Sequence, residues 1–325
     1  MGYNHSIAYC LLGYLCAYYR YYYPLEFITA FLDDAANDDD IKNGTALAKL
    51  YGIKVTTPKF GLSSSAYTLN KEENVIAKGV ASIKDIGEKA AVGLYDMCRQ
   101  HGQYHHFCDA VLDMRSVAHV DSGQIETLNG IDFFSMFGNQ REILTILDMV
   151  SFFKYGEAKS VKKELVQGSP FELSIMAHGD GLTSKGVEAK SYKLLDTPQI
   201  MRECEDVILQ RHMPDLDIIT KVKHFADAMG YSGYVSGKDE DRRKLYIRDV
   251  FPVKRKRDGK QFGYNILTQS IGSGIESRFT VFNHLYEKDP IQKGDVIYCT
   301  SYEKDGIYFT LTGYRHIRDD AFDEI

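Results

Sequence analysis

The chain contains no tryptophan, no long uninterrupted apolar run and no surplus of positive charge. Its longest apolar stretch, residues 6–32, is broken by Arg20, Glu26 and many tyrosines, so nothing approaches the roughly 18 apolar residues of a membrane span. The start shows neither a basic region nor a small-residue cleavage site, and no secretory signal is expected. The six cysteines (10, 16, 98, 108, 204 and 299) are scattered and lie mostly in apolar patterns, as in a cytoplasmic protein that keeps its thiols reduced. A formal net charge of −6 argues against a uniformly basic nucleic-acid-binding surface and leaves room for local basic patches. The missing tryptophan, set beside 23 tyrosines, is a compositional bias that names no function.

At 325 residues, with 44% hydrophobic and 26% charged residues, the chain has room for two or three globular domains. It opens on an apolar, tyrosine-rich helix ending near Tyr22, too hydrophobic to face water on all sides. Pro24 starts a second helix through Phe27 to Leu32. A helix from Lys42 to Tyr51 is closed by Gly52, and Ile53-Lys54-Val55 is a short strand. Residues 67–69 and 74–78 read as a hairpin. Residues 152–165 suggest a helix, 168–186 a loop, and 196–210 and 218–229 amphipathic helices, the last with Asp217 as N-cap and Gly230 as C-cap.

Residues 80–95 carry the first functional signal. A short apolar segment ends at Ile83, a tight turn follows, and Gly87 opens a helix with Ala90, Ala91 and Leu94 at helical spacing. This is the pattern of a helix-hairpin-helix. A glycine at the helix mouth leaves backbone N–H groups bare, which suits a phosphate oxygen, with Lys84 and Lys89 beside it. Such contacts hold a nucleic-acid backbone without reading sequence. A helix–turn–helix that merely packs fits the same residues.

From Lys244 to Tyr314 the pattern changes to five short strands, centred on 245–247, 264–267, 279–282, 295–298 and 306–309. Asp258-Gly259, Gly294-Asp295 and Asp305-Gly306 mark turns. Five strands with a longer connection after the third fit an oligonucleotide-binding (OB) barrel or a generic small β-barrel. The first hairpin carries Arg242, Arg243, Lys244, Arg248, Lys254, Arg255, Lys256, Arg257 and Lys260, interleaved with Tyr246, Phe251, Phe262 and Tyr264. Cations track a phosphate backbone and rings stack on bases in single-strand grooves; a solvated basic hairpin with buried rings is the plainer reading.

Three other clusters are weighed against metal or catalytic roles. Asp33-Asp34 and Asp38-Asp39-Asp40 read as a solvated loop with capping carboxylates. Cys98, His101, His105, His106 and Cys108 have zinc-ligand chemistry but irregular spacing, and no metal is expected. Asp215 and Asp217 resemble paired magnesium-binding aspartates, yet a helix follows at once and capping is the expected role.

Four segments appear in a recognisable order: His5-Ser6-Ile7-Ala8-Tyr9, Tyr23-Pro24-Leu25-Glu26-Phe27, Tyr51-Gly52-Ile53-Lys54-Val55, and Lys78-Gly79-Val80-Ala81-Ser82-Ile83-Lys84. The series resembles the bacterial replicative DNA polymerase III alpha subunit, from the end of its fingers onward. Phe134, Phe137-Gly138-Asn139 and Arg141 resemble that family's second hairpin. The likeness covers roughly residues 3–150 and continues more loosely. It departs at Asp85 and Asp132, where the family usually has glycine and where a carboxylate opposes phosphate. Gln140-Arg141-Glu142-Ile143-Leu144 weakly resembles a clamp-docking peptide, but lies inside an expected helix.

The resemblance implies a multidomain α plus β chain, mainly helical over its first two thirds. Fingers would span 1–75, tandem helix-hairpin-helix elements 76–155, a helical connector 156–236 and a five-stranded OB-type barrel 237–325. Together with the residue patterns above it marks DNA contacts at Lys84, Gly87, Lys89, Arg141, Arg243, Lys244, Tyr246, Arg248, Lys254, Arg255, Lys256, Arg257, Lys260 and Tyr264, and by family position alone it places His5 near nucleotide or primer. The complete polymerase uses magnesium, but no palm aspartates are found and no cofactor is expected in this chain. Expected partners are duplex and single-stranded DNA, a palm-bearing chain, a sliding clamp and other replisome subunits, with no membrane. Two alternatives are a split polymerase subunit completed by a separate palm chain, and a non-enzymatic DNA-binding or assembly protein.

Overall fold

The computed structural model describes residues 3–35, 37–183, 185–229, 234–255 and 257–317, without the side chains of residues 3–5, 38, 39 and 42. It contains two compact units, Met1–Asp215 and Leu216–Ile325.

The first unit opens with helices α1 (Tyr3–Tyr22) and α2 (Pro24–Asp33). Pro24, with its preset φ, occupies the first turn of α2, which buries Leu25, Ile28 and Leu32 on one face. Helix α3 (Asp38–Leu50) is capped by Asn37, whose Oδ1 accepts the Asp40 amide. The cap in this acidic run is thus an asparagine, and the Asp33 carboxylate instead accepts the Tyr67 amide. After Gly52, at φ +67°, strand β1 (Lys54–Thr56) pairs parallel to β3 (Val75–Ala77), and β2 (Thr68–Asn70) pairs antiparallel on the other side of β3. Leu25, Ile28, Leu32, Ala48, Ile53, Tyr67 and Ile76 form the core between helices and sheet.

A short 3-10 turn (Val80–Ser82) leads into α4 (Glu88–His101), α5 (Phe107–Ser116), α6 (Ser122–Asn129) and α7 (Gln140–Phe152). Residues after α7 depart from the sequence reading. Instead of a helix and then a loop, the chain forms β4 (Ser160–Lys162), α8 (Lys163–Val166), α9 (Glu172–Ala177), β5 (Gly179–Leu182) and β6 (Glu188–Leu194), then α10 (Thr197–Gln210). The strands make an antiparallel sheet in the order β4-β6-β5, within the span read as a helical connector. Val161 is buried between exposed Ser160 and Lys162, and it pairs with Tyr192 some thirty residues on. The three residues of β4 carry too little local pattern to overrule helical spacing; only the distant partner decides this strand.

The second unit begins with α11 (Ile218–Met229). Asp217 caps it, its carboxylate accepting the amides of Ile219 (2.9 Å) and Thr220 (3.1 Å) and the Thr220 hydroxyl. Burial raises this carboxyl's pKa, but those hydrogen bonds bring it below the usual range. Gly230, the expected C-cap, lies outside the described residues. The rest is a closed barrel of β7 (Lys244–Lys254), β8 (Gln261–Ser270), β9 (Glu276–Phe282), β10 (Val296–Asp305) and β11 (Tyr308–His316). Neighbours run antiparallel except β9 and β11, which are parallel, and β10 closes back onto β7. This is OB-type topology. A short helix α12 (Asn283–Tyr286) fills the longer connection after the third strand. Leu245, Ile247, Ile266, Phe279, Val281, Ile297 and Leu311 fill the interior.

Candidate nucleic-acid interface

The turn before α4 is anchored from below. Ile83 and Ile86 are buried on either side of exposed Lys84 and Asp85. Asp85 takes a left-handed backbone, φ +64°, a conformation glycine adopts freely and aspartate tolerates. The Gln124 side-chain amide donates to its carbonyl at 2.9 Å. Gly87 is the N-cap of α4 and no side chain caps the helix. Gly87, Lys84 and Lys89 are exposed together at this mouth, with Asp85 and Glu88 offsetting the two lysine charges.

The second hairpin differs in kind. Asp132 is again left-handed, φ +58°, but its carboxylate faces inward and accepts the Gln140 side-chain amide at 3.0 Å. Lys59 Nζ donates to its carbonyl at 2.8 Å. The start of α7 is closed by a reciprocal capping box: Asn139 Oδ1 accepts the Glu142 amide at 3.0 Å and Glu142 Oε2 accepts the Asn139 amide at 2.9 Å. The Gln140 amide donates to the Asp215 carboxylate at 3.1 Å. Three amides that a phosphate needs are already used, and three carboxylates surround them. Arg141 is half-buried, with its Nε lacking a hydrogen-bond partner. Gln140, Glu142 and Ile143 of the clamp-like peptide are buried in the helical core.

On the barrel, the basic residues divide. Lys244 Nζ pairs with buried Asp241 at 2.8 Å, and Arg248 pairs with Glu276. Arg243 is exposed at the entrance to β7. Tyr246 packs beside Ile219, Val222, Ile271 and Val296, and burial pushes its hydroxyl pKa up. Tyr264 stacks on Tyr286, with ring centres 3.7 Å apart and 17° between the planes. Both tyrosine rings named from sequence therefore serve the barrel's own packing. The exposed cations gather at the β7–β8 turn: Lys254, Arg255, Arg257 and Lys260 make no ion pair among the described residues, and Arg255 sits 6.0 Å from the Phe262 ring centre. Lys256 lies outside the described residues, as does the side chain of His5 in α1.

Strand register shows which aromatic groups face outward beside this turn. Val250 pairs with Ile266 and Ile266 with Phe279, the core row. The neighbouring rows are Phe251–Asn265–Thr280 and Val253–Gly263–Phe282, on the opposite face. Phe251 and Phe282 are 46% and 41% exposed. Gly263 lies between them because a Cβ there would stand 2.4 Å from the Val281 carbonyl oxygen. Arg278, on the same face, meets the Asn265 side chain. The β10–β11 turn adds exposed Tyr302, Ile307 and Tyr308. The sequence reading passed over Phe282, Tyr302 and Tyr308; counting in twos from buried Val281 and Leu311 is the signal that marks the first of these.

The cysteine and histidine cluster does not converge. Buried Cys108 and Phe107 donate their amides to Glu205 at 2.8 and 2.6 Å, His106 faces Asp206, and His101 faces Asp113. Among the described residues no group of three or more His, Cys, Asp or Glu side chains is placed to hold a metal. No described helix is long and apolar enough to cross a membrane.

No protein-family model matches the chain. It is similar to DNA polymerase III alpha subunits. Identity is 32% over 108 residues with that of Aquifex aeolicus, covering 33% of this chain and 9% of the relative. It is 28% over 150 residues with that of Thermus aquaticus, covering 45% and 12%. It is 26% over 146 residues with that of Ureaplasma parvum, covering 44% and 15%. The matched stretch is thus a small part of each of these relatives.

Proposed function

We propose that this chain is a DNA-handling portion of an alpha-type replicative polymerase, without a palm active site of its own. The carrying observation is the cluster of unpaired cations on the turn between the first two strands of an OB-type barrel, beside outward-facing Phe251 and Phe282. That turn and the face of strands two and three are where barrels of this topology take oligonucleotides. Phosphates of a single strand meet Lys254, Arg255, Lys256, Arg257 and Lys260 while bases stack on the exposed rings.

In the first unit, the uncapped mouth of α4 with Lys84, Gly87 and Lys89 holds one phosphate of a duplex. The second hairpin contributes little, because its amides are committed to Asn139, Glu142 and Asp215. Tyr246 and Tyr264 act by shaping the barrel. Template-directed synthesis needs a palm on another stretch of polymerase, with its magnesium ions, and clamp and replisome contacts belong to that whole assembly.

The test is a fluorescence titration with a labelled single strand and a labelled primer–template, each at two salt concentrations. Binding of both that weakens steeply with salt supports the proposal. Primer extension by the pure chain, or no binding at low salt, refutes it.

A further inference from the structure

The outward face of the first three barrel strands carries chemistry that backbone binding alone does not need. Asn265 on β8 pairs with Phe251 on β7 and with Thr280 on β9. One row away, Leu267 pairs with Asp249 on β7 and with Arg278 on β9. The Asn265 amide is satisfied in one orientation. Its nitrogen donates to the Thr280 hydroxyl at 3.0 Å, and its oxygen accepts from Arg278, from Nε at 3.3 Å and from Nη2. The guanidinium is thereby drawn from β9 towards the middle strand, onto the direct cross-strand neighbour of the Phe251 ring. Its outer end stays open. Arg278 is exposed and makes no ion pair among the described residues, and Glu276, next outward on β9, is taken by Arg248.

Asp249 stands two residues before Phe251 on the same face of β7. One of its oxygens accepts the Val250 amide at 2.9 Å, and it has no other partner among the described residues. The exposed Phe251 ring therefore has a donor fork beside it across the strands and an acceptor beside it along the strand. We infer that Phe251, Arg278 and Asp249 form a subsite for an unpaired guanine, with Asn265 as the positioning residue. Guanine is the base with two adjacent acceptors, O6 and N7, which match an arginine fork, and its next edge carries N–H donors for a carboxylate. Those two edges adjoin on the base as the two charged groups adjoin around the ring. Adenine puts an amine where O6 stands, and neither pyrimidine offers a second acceptor beside the first on that edge. The Asp249 carboxylate also disfavours phosphate, so this row meets the base side of the strand while the cations of the β7–β8 turn meet its backbone. The inference rests on the reading of the barrel as a single-strand site and adds a base preference to it.

A competition titration of the full chain tests it. Labelled oligothymidine is displaced by unlabelled strands that carry isolated guanines, adenines or cytosines among thymidines. The guanine strand is expected to compete about tenfold better than plain oligothymidine, within the range of one bidentate arginine–guanine pair. Exchanging those guanines for deazaguanine, which lacks the N7 acceptor, removes most of the gain. Arg278→Lys keeps the charge but loses the fork, and brings the guanine-to-thymine ratio to about one. Asn265→Ala lowers the ratio part of the way, whereas a merely structural role for Asn265 would weaken every strand together. Equal competition by the guanine and thymine strands, or a ratio indifferent to Arg278→Lys, overturns the inference and leaves the single-strand reading in place. Arg278→Ala that weakens every strand alike and flattens the salt dependence gives the residue to a phosphate, and overturns it too. No binding of a labelled thymidine or guanine-bearing strand at low salt overturns both readings.

Discussion

Glu205 on α10 is 1% exposed and accepts two buried amides, Phe107 at 2.6 Å and Cys108 at 2.8 Å. These are the first amides of α5, whose own N-cap, His106, makes no side-chain cap. Glu205→Ala removes both acceptors. Two buried N–H groups left unsatisfied cost about 1–3 kcal/mol each, partly offset by no longer burying a carboxylate, for a net loss of about 3 kcal/mol. In a unit of this size that lowers the melting temperature by roughly 6–12 °C. Glu205→Gln keeps one acceptor and costs less. The pH dependence has a definite sign. Burial raises the Glu205 pKa above its ordinary 4.5, and the amides of Cys108 and Phe107 only partly counter this. The fold therefore favours the protonated form. The carboxyl's contribution is complete below about pH 4.5 and is lost as pH rises through the raised value. Thermal unfolding between pH 4 and 8 should show the gap between wild type and Glu205→Gln narrowing as pH rises. An unchanged melting temperature for Glu205→Ala, or a gap that widens with pH, refutes the reasoning.

Other predictions separate the two hairpins and probe a buried amine. Asp85→Gly relieves a left-handed aspartate and removes an anion from the mouth of α4; duplex affinity rises by about 1 kcal/mol, roughly fivefold, in a low-salt titration. Asp132→Gly breaks the Gln140 contact, and the same titration shows no gain while melting temperature falls. Lys78 is 3% exposed, and desolvation pulls its pKa from 10.5 to about 7. Its charged form is disfavoured in the fold, so stability rises as pH climbs from about 7 towards 10.5; Lys78→Met flattens that rise in pH-dependent unfolding.

Periodicity made much of this molecule legible before its structure. Pro24, Gly52, Gly87 and Asp217 stand at the element ends where their backbone chemistry puts them. All five barrel strands are legible but read short: bulges after Ile247 and Val253 break the alternation in β7, and the segment read as the fifth strand, 306–309, overlaps β11 only at Tyr308 and Phe309. In the β4-β6-β5 sheet, β4 is specified by a partner about thirty residues on, while β5 and β6 form a local hairpin whose glycine, serine and lysine content reads as loop. At the candidate sites, residue type located the basic turn, while orientation stayed hidden. Nothing local says that Tyr264 lies flat on Tyr286, or that the N-terminus of α7 is closed by Asp215 from 75 positions away. Sequence marked Asp85 and Asp132 as equivalent departures; only their surroundings distinguish an exposed carboxylate from one tied to Gln140.

The central claim is that the β7–β8 turn handles a nucleic-acid strand. The most direct test is the salt dependence of single-strand binding by wild type and by the Lys254, Arg255, Arg257 and Lys260 to alanine variant. Each lost phosphate contact flattens the log–log slope by about 0.7, so the variant's slope falls by roughly 2–3 while the barrel stays folded. An unchanged slope, or no binding by the wild type at low salt, would contradict the account.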